Sequence, residues 1–295
     1  MGETGSGHAG GSIGLVSLNV CCGLFSSLRP VKERAAEFCR RLEQADVDLV
    51  SFQEVWTPGL YRFLRGQLPS FPYVARRAGV FGQSAGGLVS FSKLPVRAAR
   101  FTSFRGLRPQ TGGAVFRNAL TLASVLHGVL TFEIRGGGAV AGKTVVGNVH
   151  LSANRDGDWS PGNRHETLQM SQVRRVHQAL RRARNGDTAL MVVGGDFNLP
   201  SGSALYEALT GTSTGTGTWR DPFAAADLPT FHVELLPAGA MPHRIDYLLI
   251  DADPDRYPIV GTDVLFTEPV TMPSGGTAFL SDHVAQMIRI AVPEV

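Results

Sequence analysis

Residues 189–200 read Ala-Leu-Met-Val-Val-Gly-Gly-Asp-Phe-Asn-Leu-Pro, and the rest of the chain is arranged around them. Residues 189–193 are apolar without alternation, which indicates a strand buried on both faces. The two glycines that follow permit a sharp turn or the close approach of a ligand to the backbone. Asp196 and Asn198 stand two residues apart, so in an extended chain both side chains share one face. A carboxylate beside an amide at the end of a strand can position a water nucleophile next to a phosphoryl oxygen. A polar turn that caps the strand is the simpler alternative interpretation.

Composition is typical of an α/β protein with many short strands and loops. The chain has 295 residues, of which 43% are hydrophobic, enough for a packed core in one large domain or two. Its 35 glycines and 17 prolines are interspersed with short apolar runs. A net charge of +3 permits an anionic substrate and does not demand a nucleic-acid partner.

The cysteines and the beginning of the chain bear on its location. The 3 cysteines have no Cys-x-x-Cys spacing, so we expect neither a disulfide framework nor structural zinc. This favours a reduced, cytoplasmic setting, with a secreted mature form as the alternative. Residues 1–12 lack a basic start and an apolar stretch, so we interpret them as a disordered segment rather than a signal peptide. Residues 13–295 are predicted to form a single domain, and no apolar run approaches the roughly 18 residues of a membrane span.

Hydrophobic periodicity predicts an alternation of strands and helices. Helices are expected at 31–45, 58–67, 164–184 and 203–209. Strands are expected at 13–20, 47–52, 87–91, 96–101, 119–125, 129–134, 144–151, 189–193, 245–250, 259–266 and 284–292.

Most of the predicted buried strands have a polar side chain at one end. Because sites in α/β folds form where rigid strands meet loops, we expect these side chains to converge. They are Asn19, Glu54, His150, Asp196, Asn198, Asp246, Asp282 and His283.

This set of side chains can perform one specific chemistry. Glu54, Asn19 and Asp282 are hard oxygen ligands, which suit Mg²⁺ or Mn²⁺ rather than zinc. A hard cation polarises a phosphoryl oxygen and stabilises charge on the leaving oxygen. The catalytic set is then His150, Asp196, Asn198, Asp246 and His283.

Each member of the catalytic set has a candidate role. His150 and Asn198 can donate hydrogen bonds to phosphate oxygens, and Asp196 can orient or deprotonate the attacking water. His283 can act as an acid or a base, with Asp246 holding its tautomer and raising its pKa. The sequence does not decide which histidine performs which proton transfer.

The motifs Leu-Asn-Val, Gln-Glu-Val-Trp, Val-His-Leu, Gly-Asp-Phe-Asn, Arg-Ile-Asp-Tyr and Ser-Asp-His occur in that order over residues 13–292. This ordered set resembles the endonuclease/exonuclease/phosphatase superfamily, which has the DNase I-like fold. The resemblance implies an α/β (α+β) protein built as a four-layer αββα sandwich of two mixed sheets. It also implies divalent-metal phosphoester hydrolysis at the shared edge of the sheets, with Glu54 as the main metal ligand.

Within the superfamily, the chain is most similar to neutral sphingomyelinases. The similarity lies in Gln53-Glu54-Val55-Trp56 and in residues 87–95, Gly-Leu-Val-Ser-Phe-Ser-Lys-Leu-Pro. The chain departs from that family at residues 116–119, Phe-Arg-Asn-Ala, where Lys-Ala or Lys-Gly is usual. Arg117 is the candidate replacement for the missing lysine, although a guanidinium is not equivalent to an ammonium.

Three other interpretations remain open. A nuclease or a small-metabolite phosphatase fits the same motifs, and a basic rim would favour the nuclease; the arginines that would form it are Arg100, Arg105, Arg108 and Arg117. A biosynthetic enzyme that reuses the metal site, or a scaffold without catalysis, is also compatible with the fold. Substrate choice would depend on the loops at 104–118, 152–163 and 211–243, and we expect a monomer.

Overall fold

The structure is a computed structural model that describes residues 11–22, 28–135, 143–211, 219–226, 228–236 and 238–293. The helices in these residues are α1 (Val31–Gln44), α2 (Pro58–Gln67), α3 (Ala114–Leu126), α4 (Glu166–Ala183) and α5 (Ala204–Thr210). The strands are β1 (Ser12–Asn19), β2 (Leu49–Gln53), β3 (Tyr73–Ala75), β4 (Val89–Ser92), β5 (Val96–Ser103), β6 (Gly128–Arg135), β7 (Lys143–His150), β8 (Thr188–Asp196), β9 (Asp246–Asp251), β10 (Ile259–Leu265), β11 (Val270–Thr271), β12 (Thr277–Ala278) and β13 (Ala285–Ala291).

The strands form two mixed sheets. The first has the order β10-β13-β1-β2-β4-β3, and the second has the order β5-β6-β7-β8-β9. β1 runs parallel to β2, and β7 runs parallel to β8, while the other neighbours are antiparallel. β11 and β12 form a separate small hairpin.

Three apolar cores separate four layers. The first core packs α1 and α2 against the first sheet, with Phe38 and Phe52 in ring contact at 5.5 Å. The second lies between the two sheets and contains Leu15 and Val192. The third packs α4 and α5 against the second sheet. The predicted αββα sandwich is therefore confirmed.

The glycines of the organising stretch do not form a turn, as one alternative from the sequence had suggested. Gly194 and Gly195 lie inside β8, which continues to Asp196. A Cβ on Gly195 would be 2.0 Å from the carbonyl oxygen of Val149, and one on Gly194 would be 2.4 Å from a methyl group of Leu248. The glycines therefore allow β8 to lie close against its neighbours, and Phe197 then points into the third core.

The predicted strand at 119–125 is wrong, because these residues belong to helix α3. The segment is apolar on several sides, so its helical period is hidden in the sequence. The short strand β3 and the hairpin of β11 and β12 were not predicted. The other predicted elements occur within a few residues of their expected bounds.

The predicted disordered segment, residues 1–12, lies outside the described residues except for its last two, and Ser12 begins β1. The assignment of a single domain stays a prediction. Each helix in the described residues is too short or too polar to cross a membrane.

Candidate active site

Three of the predicted residues lie at one end of the second sheet, where β7 and β8 finish and β9 begins. His150 ends β7 and pairs in register with Asp196, which ends β8. Asp196 also pairs with Asp246, the first residue of antiparallel β9. The pairing of the strands therefore places these three side chains in adjacent positions, and all three are buried.

The matching edge of the first sheet carries the others. Asn19 ends β1 and pairs with Gln53, the last residue of β2, so Glu54 follows at the same edge. Asp282 and His283 come just before β13, which runs antiparallel to β1 and therefore begins where β1 ends. The hydroxyl of Ser281 donates to the carbonyl oxygen of Asn19 at 2.5 Å, which joins these two segments.

The carboxylate of Asp196 connects the two sheets. Nδ2 of Asn19 donates to Oδ2 of Asp196 at 3.0 Å. The same oxygen lies 3.6 Å from Nε2 of His150 and 3.9 Å from Nε2 of His283. Side chains from three other strand ends thus surround one oxygen atom of Asp196.

Burial and the neighbouring carboxylate of Asp246 raise the pKa of Asp196 to about 7, although His283 and Asn19 act in the opposite direction. A carboxylate with a pKa near neutrality is suited to accepting a proton from water at physiological pH. This buried group therefore has the properties of a general base.

His283 forms a buried pair with Asp246. Its Nδ1 lies 2.8 Å from Oδ2 of Asp246, which leaves Nε2 directed at Asp196 and Asp282. Burial favours the neutral ring, but Asp246, Asp282 and Asp196 outweigh it and raise the pKa of His283 well above its usual value. Thr230 supports the pair, because its hydroxyl accepts the backbone N–H of Asp246 at 3.0 Å. The three carboxylates therefore favour the protonated ring, whose Nε2 faces the site.

His150 has the opposite electrostatic character. Burial, followed by the proximity of His127 and His283, lowers its pKa well below the usual value. Its Nδ1 is buried and has no hydrogen-bond partner among the described residues. The ring of His127 lies 4.6 Å from that of His150, and Trp56 borders both at 6.0 and 6.3 Å. The ring of His150 is therefore neutral, can donate or accept a hydrogen bond, and lies beside the rings of His127 and Trp56.

The loop after β8 is fixed by hydrogen bonds to Asn198. Its backbone N–H donates to Oδ1 of Asp196 at 2.9 Å, and its Nδ2 donates to the carbonyl oxygen of Leu151 at 3.0 Å. Gln169 of α4 donates to its carbonyl oxygen at 2.7 Å. Asn198 has a φ of 49°, and Glu54 has a φ of 66°. Such left-handed backbone in residues other than glycine is uncommon and concentrates at functional sites.

The oxygen ligands predicted for a metal fit a hard divalent cation. Glu54 and Asp282 both act on the buried thiol of Cys22, whose pKa is raised to about 11 mainly by burial and further by these two carboxylates, against Arg34. Both carboxylates are therefore close enough to Cys22 to influence its thiol. Oδ1 of Asn19 accepts the N–H of Cys21 at 3.0 Å, which leaves one lone pair for a metal.

A second set of possible ligands shares no residue with the first. Asp196, Asp246 and His283 each bring one ligand atom within 4.8 Å of the others. However, Asp246 and His283 already use their facing atoms on each other. The crowding of four carboxylates around this edge (Glu54, Asp196, Asp246 and Asp282) is nevertheless the charge pattern that a divalent cation would neutralise.

Sequence reasoning missed several residues that shape the site. The guanidinium of Arg34, on α1, is fully buried and donates to the carbonyl oxygens of Leu280 at 2.5 Å and Cys21 at 2.8 Å. Below the site, Nε2 of Gln53 donates to Oδ1 of Asn148 at 2.8 Å across the two sheets. Both Arg34 and Asn148 lie in segments predicted from apolar spacing, which carries no signal for a buried polar side chain.

His127 was also missed, although a histidine directly before a strand was a recognisable signal. Arg117, the predicted substitute for a phosphate-contacting lysine, is exposed on α3 and donates to the carbonyl oxygen of Gly112. His127 lies beside His150, whereas the side chain of Arg117 is exposed and bonds to Gly112.

The fold and this site define a phosphoesterase with the DNase I-like architecture. The chain belongs to the endonuclease/exonuclease/phosphatase family, whose model matches residues 16–283. Members of this superfamily are phosphoester hydrolases and generally use a divalent metal. A search of curated protein sequences finds no match.

Several solved structures share the fold. A humanized TDP2 from D. rerio has a TM-score of 0.68 at 17% identity, covering 95% of this chain and 99% of that one. D. rerio TDP2 complexed with a single-strand DNA product has a TM-score of 0.67 with the same identity and coverage. Sphingomyelinase C from Streptomyces griseocarneus has a TM-score of 0.62 at 17% identity, covering 96% of this chain and 100% of that one. These likenesses concern the fold.

Proposed function

We propose that this chain is a divalent-metal-dependent phosphodiesterase of the sphingomyelinase type, which cleaves the head-group phosphoester of a lipid. The observation that supports the proposal is the convergence of the strand-end residues on Oδ2 of Asp196. A carboxylate that accepts a proton, a histidine that donates one and a neutral histidine are the kinds of group that hydrolysis of a phosphoester by water needs.

Glu54, Asp282 and Oδ1 of Asn19 would hold the cation, and all three are oxygen ligands of the kind that Mg²⁺ and Mn²⁺ prefer. When bound, the cation supplies Lewis-acid polarisation of a phosphoryl oxygen and stabilises the charge on the leaving oxygen.

Asp196 accepts a proton from the attacking water as the water oxygen bonds to phosphorus. His150 and Asn198 donate hydrogen bonds to the non-bridging oxygens, where negative charge accumulates. His283 gives its Nε2 proton to the leaving alkoxide as the phosphorus–oxygen bond breaks, and Asp246 stabilises the imidazolium until that moment. The products are an alcohol and a phosphomonoester, and the two protons balance.

The choice of a phosphocholine-like head group draws on the Gln53–Trp56 motif and residues 87–95, together with the fold shared with sphingomyelinase C. A nuclease is the second candidate, because the structure of TDP2 that shares the fold carries a single-strand DNA product. The exposed Arg105, Arg108 and Arg117 are compatible with an anionic polymer.

The test is a substrate panel of micellar sphingomyelin, single-stranded DNA and soluble phosphomonoesters, each with Mg²⁺, Mn²⁺ or a chelator. Asp196→Asn is the active-site variant, and Asp187→Asn, an exposed aspartate before the far end of β8, is the matched control. We expect metal-dependent release of phosphocholine that falls by about 10²–10⁴-fold in Asp196→Asn only.

Absence of phosphocholine release with every metal would overturn the lipid assignment. DNA cleavage with binding that weakens steeply as salt rises would support the nuclease instead. Equal loss in both aspartate variants would argue against a catalytic role for Asp196.

A further inference from the structure

Helix α3 exposes an apolar surface that is unusual for a helix on the outside of a protein. Val115 is 85% exposed, Leu122 71% and Leu126 57%. A surface helix normally buries such residues and turns polar residues to the solvent. Contiguous exposed apolar surface on a folded protein commonly marks an interaction site.

These three residues form one ridge along the helix. At about 100° per residue, positions 115, 122 and 126 fall within an arc of about 40°. The helix contains no acidic residue, and Arg117 is its only charged side chain. We call Val115, Leu122 and Leu126 the α3 ridge.

A cationic groove lies beside the α3 ridge. It has a volume of about 450 Å³ and is lined by Arg108, Arg117, Asn118, Thr121, Leu122 and Val125, together with Pro109. Between residues 105 and 126, the charged residues are three arginines, and the sequence contains no Asp, Glu or Lys there. An apolar ridge next to arginines is complementary to acyl chains next to anionic head groups.

The α3 ridge ends at the candidate active site. Leu126 is the last residue of α3, and the next residue, His127, has its ring 4.6 Å from that of His150. Ala78 and Ser84 form an isolated β-bridge, and the turn that follows it contacts α3. The loop closed by that bridge exposes Phe81, which is 86% accessible. A surface that covered the α3 ridge would therefore adjoin the mouth of the site.

We propose that the α3 ridge and its cationic groove dock on an anionic phospholipid membrane. The inference rests on the proposed lipid phosphodiesterase function and adds the surface through which the enzyme reaches its substrate. A nucleic acid fits this surface less well, because such interfaces are polar and a ridge of Val and Leu offers them little. The groove arginines contact the head-group phosphates, while the ridge enters the acyl boundary.

The experiment measures sedimentation of the full chain with vesicles of phosphatidylcholine, alone or mixed with phosphatidylserine. We expect stronger binding to the mixed vesicles, weakened by salt. Leu122→Glu and Val115→Glu should each lower the vesicle partition coefficient about tenfold, because an apolar contact is replaced by a charge that anionic lipid repels. Val260→Glu is the matched control, since Val260 is an exposed residue on the distant edge strand β10.

Hydrolysis of a soluble phosphodiester by the same variants separates docking from chemistry. Wild type that fails to sediment with either vesicle, or ridge variants that bind as well as wild type, would overturn the proposal. Concentration-dependent dimerisation lost in Leu122→Glu, without vesicle binding, would assign the ridge to a second copy and would also overturn it. Vesicle binding without lipid hydrolysis would leave the docking surface standing and remove the proposed function.

Discussion

Replacing Asp246 with Asn tests the role of His283, because it removes a charge and keeps the shape of the side chain. Oδ2 of Asp246 lies 2.8 Å from Nδ1 of His283, and both residues are buried. A hydrogen bond to a charged group contributes about 1.5–3 kcal/mol, which equals about one to two pH units at about 1.36 kcal/mol per unit. We therefore expect the pKa of His283 to fall by about one to two units in Asp246→Asn.

The sign of the effect on activity follows from the charge on His283. Burial opposes protonation, but the carboxylates of Asp246, Asp282 and Asp196 raise the pKa of His283 above its usual value. Activity that needs the protonated ring is present below that pKa and is lost as pH rises through it. In Asp246→Asn, the alkaline limb of the kcat/KM profile should move to lower pH by about one to two units.

The assay compares two soluble phosphodiesters across this pH range. One has an alkoxide leaving group, which needs a proton, and the other has p-nitrophenolate, which leaves without one. Above the displaced limb, we expect about a 10–100-fold loss for the alkyl ester and a much smaller loss for the nitrophenyl ester. Asp187→Asn serves as the control.

An alkaline limb that does not move, with a normal fold by circular dichroism, would refute the pairing of Asp246 with the reacting histidine. Equal losses for both leaving groups would refute the assignment of His283 as the general acid and would favour a role on the side of the attacking water.

Three further predictions concern separate parts of the molecule. Gly195→Ala should destabilise the fold by about 3 kcal/mol or more, because its Cβ would lie 2.0 Å from the carbonyl oxygen of Val149. Calorimetry should show this loss, while Gly66→Ala, in an open part of α2, should keep or raise the melting temperature. Glu54→Gln should weaken Mn²⁺ binding at least about tenfold by isothermal titration with the fold unchanged, and unchanged affinity would exclude Glu54 as a ligand. Arg117→Ala should leave kcat/KM on a soluble phosphodiester within about twofold of wild type, because Arg117 is exposed on α3, and a large loss would return it to the site.

The positions of the strand ends were predictable because the signal was local. A buried apolar run that ends in a polar residue, as at Asp196, predicts both the strand and the polar side chain at its end. Strand pairing then brings Asp196 in register with His150 and Asp246. The ordered motifs added the face-to-face packing of the two sheets, which periodicity alone does not provide.

What escaped prediction depends on long-range contacts or on exposure. Part of helix α3 was predicted to be a strand, because its exposed apolar residues remove the contrast between an apolar and a polar face. The pair formed by Gln53 and Asn148 joins two sheets across 95 positions of sequence. The left-handed backbone at Glu54 has no sequence signal, because the residue is not a glycine.

Arg34 illustrates how an outer helix can control chemistry at a distance. Its guanidinium holds the carbonyl oxygens of Cys21 and Leu280, so the chain after Asn19 and the chain before Asp282 are kept in a fixed relation. Two carbonyl groups far apart in the sequence are thereby anchored by one buried cation. Random mutagenesis selected for altered turnover should therefore recover substitutions in α1 as well as in the pocket, and a remodelled substrate preference can begin at that helix.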